Sequence, residues 1–261
     1  MWNHVKKLAK YWDLLSTMVF RDIQVRYKQT ILGAAWAVAQ PLAFMIILTV
    51  LKSTIFKEEN SEGAPHQVFL YCATVPWMFF QSSLNLATNS VSGNLNLVKK
   101  IYFPREIFPL SAILASVVDF LIASLIFAGM MLYYHVPVTR SLVWVPVLFL
   151  VEFLFVLGLG MFVAASNVFY RDVKYIVPLV VQLLFFVCPI FYSVSRVPEH
   201  LLRWYLLNPM AVVIDGFRKS IIHGTAPAME PLAISLAVSL VFCVAAYAYF
   251  KRVEFKFADL I

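Results

Sequence analysis

Apolar runs of about 20 residues, separated by short charged connections, constrain this chain more than any other feature. Each run is long enough to cross a hydrocarbon core of roughly 30 Å. Charged residues make up 13% of the 261, where a water-soluble domain carries about 25%. A closed barrel would alternate apolar and polar residues along each strand, and these runs do not. The pattern predicts an all-α polytopic membrane protein with six transmembrane helices, over about 31–51, 67–91, 107–134, 142–168, 173–193 and 231–250. The first 30 residues are mixed polar and basic with no apolar h-region, so no cleavable signal peptide is expected.

Lys and Arg in the connections set the orientation. With the N-terminus inside, 14 of the 21 fall on the cytoplasmic side, among them Lys6, Lys7, Lys10, Lys99, Lys100, Arg171 and Lys251. Both termini are therefore expected in the cytoplasm. The net charge of +7 reflects this bias rather than nucleic-acid binding. Residues 1–30 read as an N-terminal amphipathic interface helix and hinge, and 31–261 as the transmembrane domain. Trp2, Val5, Leu8, Trp12, Leu15 and Val19 recur at helical spacing, which suits a helix in the membrane interface. Such a helix is either a peripheral anchor or a guide beside a lateral entrance. Arg21 to Gln29 reads as a polar, cationic hinge, and Pro41 predicts a kink in the first span.

Two stretches depart from plain spans. The second run turns polar at Gln81, Ser82, Ser83, Asn85, Thr88, Asn89 and Ser90, a face that belongs against a bundle or an aqueous path rather than lipid. Before the last span, 194–230 holds a short apolar part, Leu201 to Ile214, interrupted by Arg203 and Asn208-Pro209. That length predicts a re-entrant outer helical pair broken at Asn208-Pro209, with Arg218 and Lys219 on the outer side; an extra pair of spans is the alternative.

Catalytic and metal-binding patterns are missing from the sequence. It has no Gly-x-x-x-x-Gly-Lys-Ser/Thr phosphate loop and no His-Glu-x-x-His or Cys-x-x-Cys metal pattern. Cys72, Cys188 and Cys243 lie inside apolar runs and read as small buried hydrophobes. No metal site and no cofactor of the chain's own are expected. Asp119 and Glu152 are the two acids deep in spans. They would serve a proton-coupled carrier, or each makes an interhelical hydrogen bond with a Ser or Gln; no Lys or Arg is expected at comparable depth to pair with them. The aromatic residues Trp36, Phe44, Tyr71, Trp77, Phe79 and Phe80 either line a path for a sliding glycan or pack among helices and lipid.

Between the second and third spans lies Gly93-Asn-Leu-Asn-Leu-Val-Lys-Lys-Ile-Tyr-Phe-Pro-Arg-Glu-Ile-Phe-Pro109. Asn94 is a good helix N-cap, and Leu95, Val98 and Tyr102 form an apolar stripe at helical spacing with Lys99 and Lys100 on the wet side. Pro104 disfavours helical geometry in Phe103 and stops the helix. Residues 94–103 are thus either a short helix with a partner surface or an ordinary basic loop.

Several segments in order carry a resemblance. They are Arg26-Tyr-Lys-Gln-Thr-Ile-Leu-Gly33 with Trp36 and Gln40-Pro41, then Pro76-Trp77 and Lys99-Lys-Ile-Tyr-Phe-Pro-Arg105. Asn167-Val-Phe-Tyr-Arg-Asp-Val173, Pro189-Ile-Phe-Tyr192 and Asn208-Pro209 complete the set. Over nearly the whole chain they resemble the permease subunits of ATP-binding-cassette type-2 exporters for bacterial surface polysaccharides, with one departure at Ala73-Thr74, where the family often has a glycine. The resemblance implies a multi-pass inner-membrane subunit that pairs with a second copy of itself and with two separate ATPase subunits, which bind ATP and Mg. It implies a coupling role for Asn94, Leu95, Val98, Lys99, Lys100, Tyr102, Phe103 and Arg105, joined by Arg171 and Asp172. The implied cargo is a lipid-linked polysaccharide such as O-antigen; capsule, teichoic acid or a small lipid-like compound are the close alternatives. Arg21, Arg26 and Lys28 are candidates to attract the lipid's pyrophosphate headgroup.

Overall fold

The computed structural model describes residues 11–28, 33–51, 65–94, 97 and 103–258. Every regular element among them is helical. The α-helices are α1 (Trp12–Tyr27), α2 (Trp36–Leu51), α3 (His66–Ser90), α4 (Ile107–Tyr133), α5 (Trp144–Phe169), α6 (Val173–Val187), α7 (Glu199–Tyr205), α8 (Pro209–Ile221) and α9 (Met229–Val253). Short 3-10 turns lead into α2 and α5, follow α3, and close the described chain at Glu254–Ala258.

Ile107–Tyr133, Arg140–Phe169 and Met229–Phe257 are long and apolar enough to cross a membrane. Val38–Val50 and Val173–Val187 are shorter apolar helices. The 25-residue α3 has the length but carries the polar stretch from Gln81 to Ser90. It can do so because it is the central helix, packed on α2, α4, α5, α6 and α8, so most of its surface meets protein.

Small residues decide how closely the helices approach. A Cβ at Gly158 of α5 would sit 2.9 Å from the Cα of Cys243 in α9, so only glycine permits this crossing. Ring pairs Phe155–Phe242, Phe162–Tyr249 and Phe169–Phe257 keep a nearly constant sequence offset. Helices α5 and α9 therefore run parallel. At one end of the bundle a separate core gathers Leu15 and Met18 of α1, Val91, Phe103, Phe108, Ala164, Phe250 and Phe257.

The opposite end is closed by α7 and α8. Asn208 accepts from the Met210 backbone N–H at 3.1 Å and Pro209 opens α8, so the chain breaks where the sequence predicts. Arg218 is 2% exposed inside α8. It donates to the Tyr192 and Ile190 carbonyls at 2.8 and 2.5 Å and stacks over Phe69 at 3.7 Å. The turn after α6 leaves carbonyls that a helix no longer uses, and a guanidinium with five donors satisfies two of them.

The N-terminal region differs from its sequence reading. The hinge expected over Arg21–Gln29 is helix as far as Tyr27, with Asp22 and Arg26 one turn apart. The buried stripe of α1 is Leu15 and Met18, whereas Trp12 is 63% exposed; Trp2, Val5 and Leu8 lie outside the described residues. Helix α1 runs along α4 from the Phe-rich end toward its middle, packing on it throughout.

Candidate functional site

A cavity of about 430 Å³ opens among α1, α2, α3 and α4. Its polar wall comes from the face of α3 that reads as too polar for lipid: Gln81, Ser82 and Asn85 line it, with Gln40 of α2 and Ser116 of α4. Ser82 and Ser116 share a hydrogen bond of 3.3 Å. The remainder of that face divides: Ser83, Thr88 and Ser90 are buried in the bundle and Asn89 is exposed. Trp36, 46% exposed, lines the cavity with Phe44, Phe79 and Phe120. Tyr71, Trp77 and Phe80 do not. They pack in the core, where Tyr71 stacks on Phe127 and Trp77 and Phe80 meet each other at 5.3 Å.

The charged feature of the cavity joins α1 to α4. Arg26 forms an ion pair with Asp119 through Nη1, with side-chain exposures of 22% and 17%. The Tyr27 hydroxyl donates to the other oxygen of the same carboxylate. Lower on the same two helices, Ser111 donates to Asp22 Oδ2 at 2.8 Å. Asp119 thus does have a cationic partner, contrary to the expectation that no Lys or Arg reaches its depth. Arg26 was invisible as that partner because it lies in no apolar run; α1 carries it up alongside α4. Burial lowers the Arg26 guanidinium from its ordinary value, opposed by Tyr27 and Asp22, and burial raises the Tyr27 phenol. Arg26 Nη2 and Asn85 Oδ1 are buried without a hydrogen-bond partner among the described residues.

The three headgroup candidates separate. Arg26 is on the cavity wall. Arg21 faces the Phe-rich end, donating from Nη1 to Asn94 Oδ1 at 2.9 Å and from Nη2 to Asp22 at 2.8 Å. Lys28 follows the last residue of α1. Asn94 closes a 3-10 turn, gives its amide N–H₂ to the Ser90 carbonyl at 2.7 Å, and offers its oxygen to Arg21 rather than to a described helix N-terminus. Leu95, Val98, Lys99, Lys100 and Tyr102 lie outside the described residues.

Both ends of that segment are nonetheless anchored. Asn167 of α5 donates to the Thr88 carbonyl and to Ser92 Oγ, each at 2.9 Å. After the segment, Phe103 packs on Phe108 at 5.3 Å. Arg105 donates to the Glu254 carbonyl and lies over the Phe257 ring. Glu106, 2% exposed, receives Lys251 Nζ at 2.5 Å, and Lys251 also reaches Glu254 at 3.2 Å. Arg171 and Asp172 form an exposed turn between α5 and α6 at this end. Sequence reading missed Tyr27, Asp22, Glu106 and Lys251; the i,i+4 placement of Asp22 and Arg26 was a usable sign that α1 continues.

Glu152 presents the reverse of Asp119. It is fully buried in α5 and neither carboxyl oxygen has a hydrogen-bond partner among the described residues. The α5–α9 register brings Ser239 to its level, and the hydroxyls of Ser235 and Ser239 are likewise buried and unpartnered. No group of three His, Cys, Asp or Glu suited to a metal occurs among the described residues.

The sequence has relatives. The chain is similar to an O-antigen export system permease protein RfbA of Myxococcus xanthus, 29% identical over 259 residues and 98% of each chain. It is similar to RfbA of Klebsiella pneumoniae, 28% identical over 255 residues and 97% of each. The polysialic acid transport protein KpsM of Escherichia coli is 21% identical over 218 residues, 80% of this chain and 81% of that one. Residues 13–222, which include every residue lining the cavity, match the family described as ABC-2 type transporter, and the chain belongs to that family of transporter membrane subunits.

Proposed function

We propose that this chain is the membrane subunit of an ATP-driven exporter that moves a lipid-linked surface polysaccharide, of the O-antigen kind, across the bacterial inner membrane. The similarity to O-antigen export permeases over 97–98% of the chain carries this reading. Six helices, α2 to α6 and α9, are the spans; the Arg and Lys bias puts both termini in the cytoplasm. Helices α7 and α8 form the outer re-entrant pair. Two copies assemble with two ATPase subunits that hold ATP and Mg.

In this assembly the Phe-rich end faces the ATPase. Residues 94–103 dock in it through Leu95, Val98 and Tyr102, with Lys99 and Lys100 outward and Arg171 and Asp172 alongside. Phe103, Arg105 and Asn94 anchor the segment, so a push on it reaches α3, α4 and α9 together. Arg26, with Lys28 nearby, attracts the pyrophosphate of the lipid carrier, and Trp36, Phe44 and Phe79 offer ring faces to sugars. Arg21, tied to Asn94, braces α1 against the docking segment.

Replacing Leu95, Val98 and Tyr102 together with Asp is expected to release the ATPase on purification while the permease still inserts. Normal co-purification would sink the docking role. Deleting the gene and testing the cell surface with polymer-specific antibodies decides the cargo: loss of O-antigen supports the reading. A second reading, export of capsular polysaccharide, is favoured by the similarity to the polysialic acid transport protein, and loss of capsule alone would establish it.

A further inference from the structure

The cation offered to the substrate is already occupied. Arg26 spends one nitrogen on Asp119, and Tyr27, the last residue of α1, donates to the same carboxylate. A phosphate entering the cavity would meet a guanidinium neutralised by a fixed anion, and two anions would compete for it. Yet the guanidinium is only half used, since Nη2 is buried and without a partner among the described residues. Arg26 lines a cavity of about 430 Å³, within the size range of ligand sites. We propose that Asp119 is a resident counter-ion exchanged for substrate diphosphate at Arg26, and that the exchange frees the end of α1 from α4. The proposal rests on the headgroup reading above and adds a role for Asp119 and Tyr27.

The exchange is reversible on physical grounds. Arg26 passes from one anion to another and is never left bare, and Asp119 retains the Tyr27 hydroxyl until α1 moves. Removing one partner of a buried pair with nothing in its place is the expensive case, and an incoming phosphate avoids it. Diphosphate oxygens fit a guanidinium fork through two parallel hydrogen bonds, which Asp119 does not supply here. The lower part of α1 stays put, because Leu15 and Met18 are buried and Asp22 is held by Ser111 at 2.8 Å. Only the last turn of α1, bearing Arg26 and Tyr27 beside the cavity mouth, is fastened by a contact the ligand itself can replace. Headgroup binding and opening of the entrance are then one event.

The test uses the permease–ATPase complex in lipid nanodiscs, with its three cysteines replaced and spin labels at Val25→Cys and Leu125→Cys, both exposed. Farnesyl pyrophosphate and inorganic pyrophosphate are the probes. Asp119→Asn is expected to tighten farnesyl pyrophosphate binding about tenfold, and to give without ligand the label separation that the parent shows when saturated. Parent-like affinity and separation would overturn the exchange. Should Asp119→Asn not assemble, Tyr27→Phe decides, with about threefold tightening expected and no change overturning the proposal. Arg26→Gln is expected to abolish binding; if it binds like the parent, the headgroup reading itself falls, whatever Asp119 does. Tightening with the farnesyl form alone supports exchange by a lipid-borne diphosphate. Equal tightening with inorganic pyrophosphate supports exchange by the diphosphate group regardless of its lipid.

Discussion

Asp119 and Glu152 look alike in sequence, each an acid in the middle of an apolar run, and the fold treats them in opposite ways. Asp119 faces a cavity and has both oxygens engaged, by Arg26 and Tyr27. Glu152 is 0% exposed, with neither oxygen engaged among the described residues. The first belongs to a joint between two helices that polar contacts hold and a polar ligand could loosen. The second belongs to a pair of helices that small residues bring into backbone contact. An intramembrane acid is therefore not one kind of signal. Its meaning depends on whether its neighbour can move.

The largest test of the comparison strikes the close-packed side. Gly158→Leu would drive a side chain into the Cys243 backbone; a destabilisation of about 3 kcal/mol or more is expected, read as loss of detergent-stable protein. A third acid calibrates the effect of burial. Glu106 is as dry as Glu152 but paired with Lys251, so Lys251→Ala should cost about 3 kcal/mol by stranding a buried charge. Thermal unfolding of the purified complex measures it, and Glu106→Gln added to Lys251→Ala should recover much of the loss. Arg26→Gln comes next, at about 2 kcal/mol, because Asp119 keeps Tyr27 and some access to the cavity. Glu152→Gln should change stability by less than about 1 kcal/mol, since a carboxamide of the same size replaces a group without a charged partner. A loss as large as that of Arg26→Gln would erase the distinction between the two acids.

Helix positions were legible because apolar run length and breakers act locally. The ranges of α3, α4 and α5 fall within two residues of the predicted runs and Asn208-Pro209 breaks the chain where expected, whereas α6, predicted to run to 193, stops at Val187 where Cys188 turns extended. Features that depend on which helices meet were not legible. The hinge placed at Arg21–Gln29 proved to be the last turns of α1, since its charges are met by Ser111, Asn94 and Asp119 from other parts of the chain. Ring identity did not say which aromatics line the cavity. Trp36, Phe44 and Phe79 do, while Tyr71, Trp77 and Phe80 face into the bundle from the same stretch of helix as Phe79. Residues 95, 98, 99, 100 and 102 keep their coupling role as a proposal founded on stripe, charge and resemblance.

By itself the sequence determined the solvent this protein lives in, its all-helical class and the family to which it belongs. These follow from hydrophobic run length, turn chemistry and ordered motifs, all readable along one dimension. Only the tertiary structure decided that Arg26 meets Asp119, that Lys251 meets Glu106 across 145 positions, and that Glu152 meets no charge among the described residues. A side chain's electrostatic partner is set by helix packing, through small residues such as Gly158 and the docking of α1 on α4. Run length and periodicity carry no record of which helices will touch.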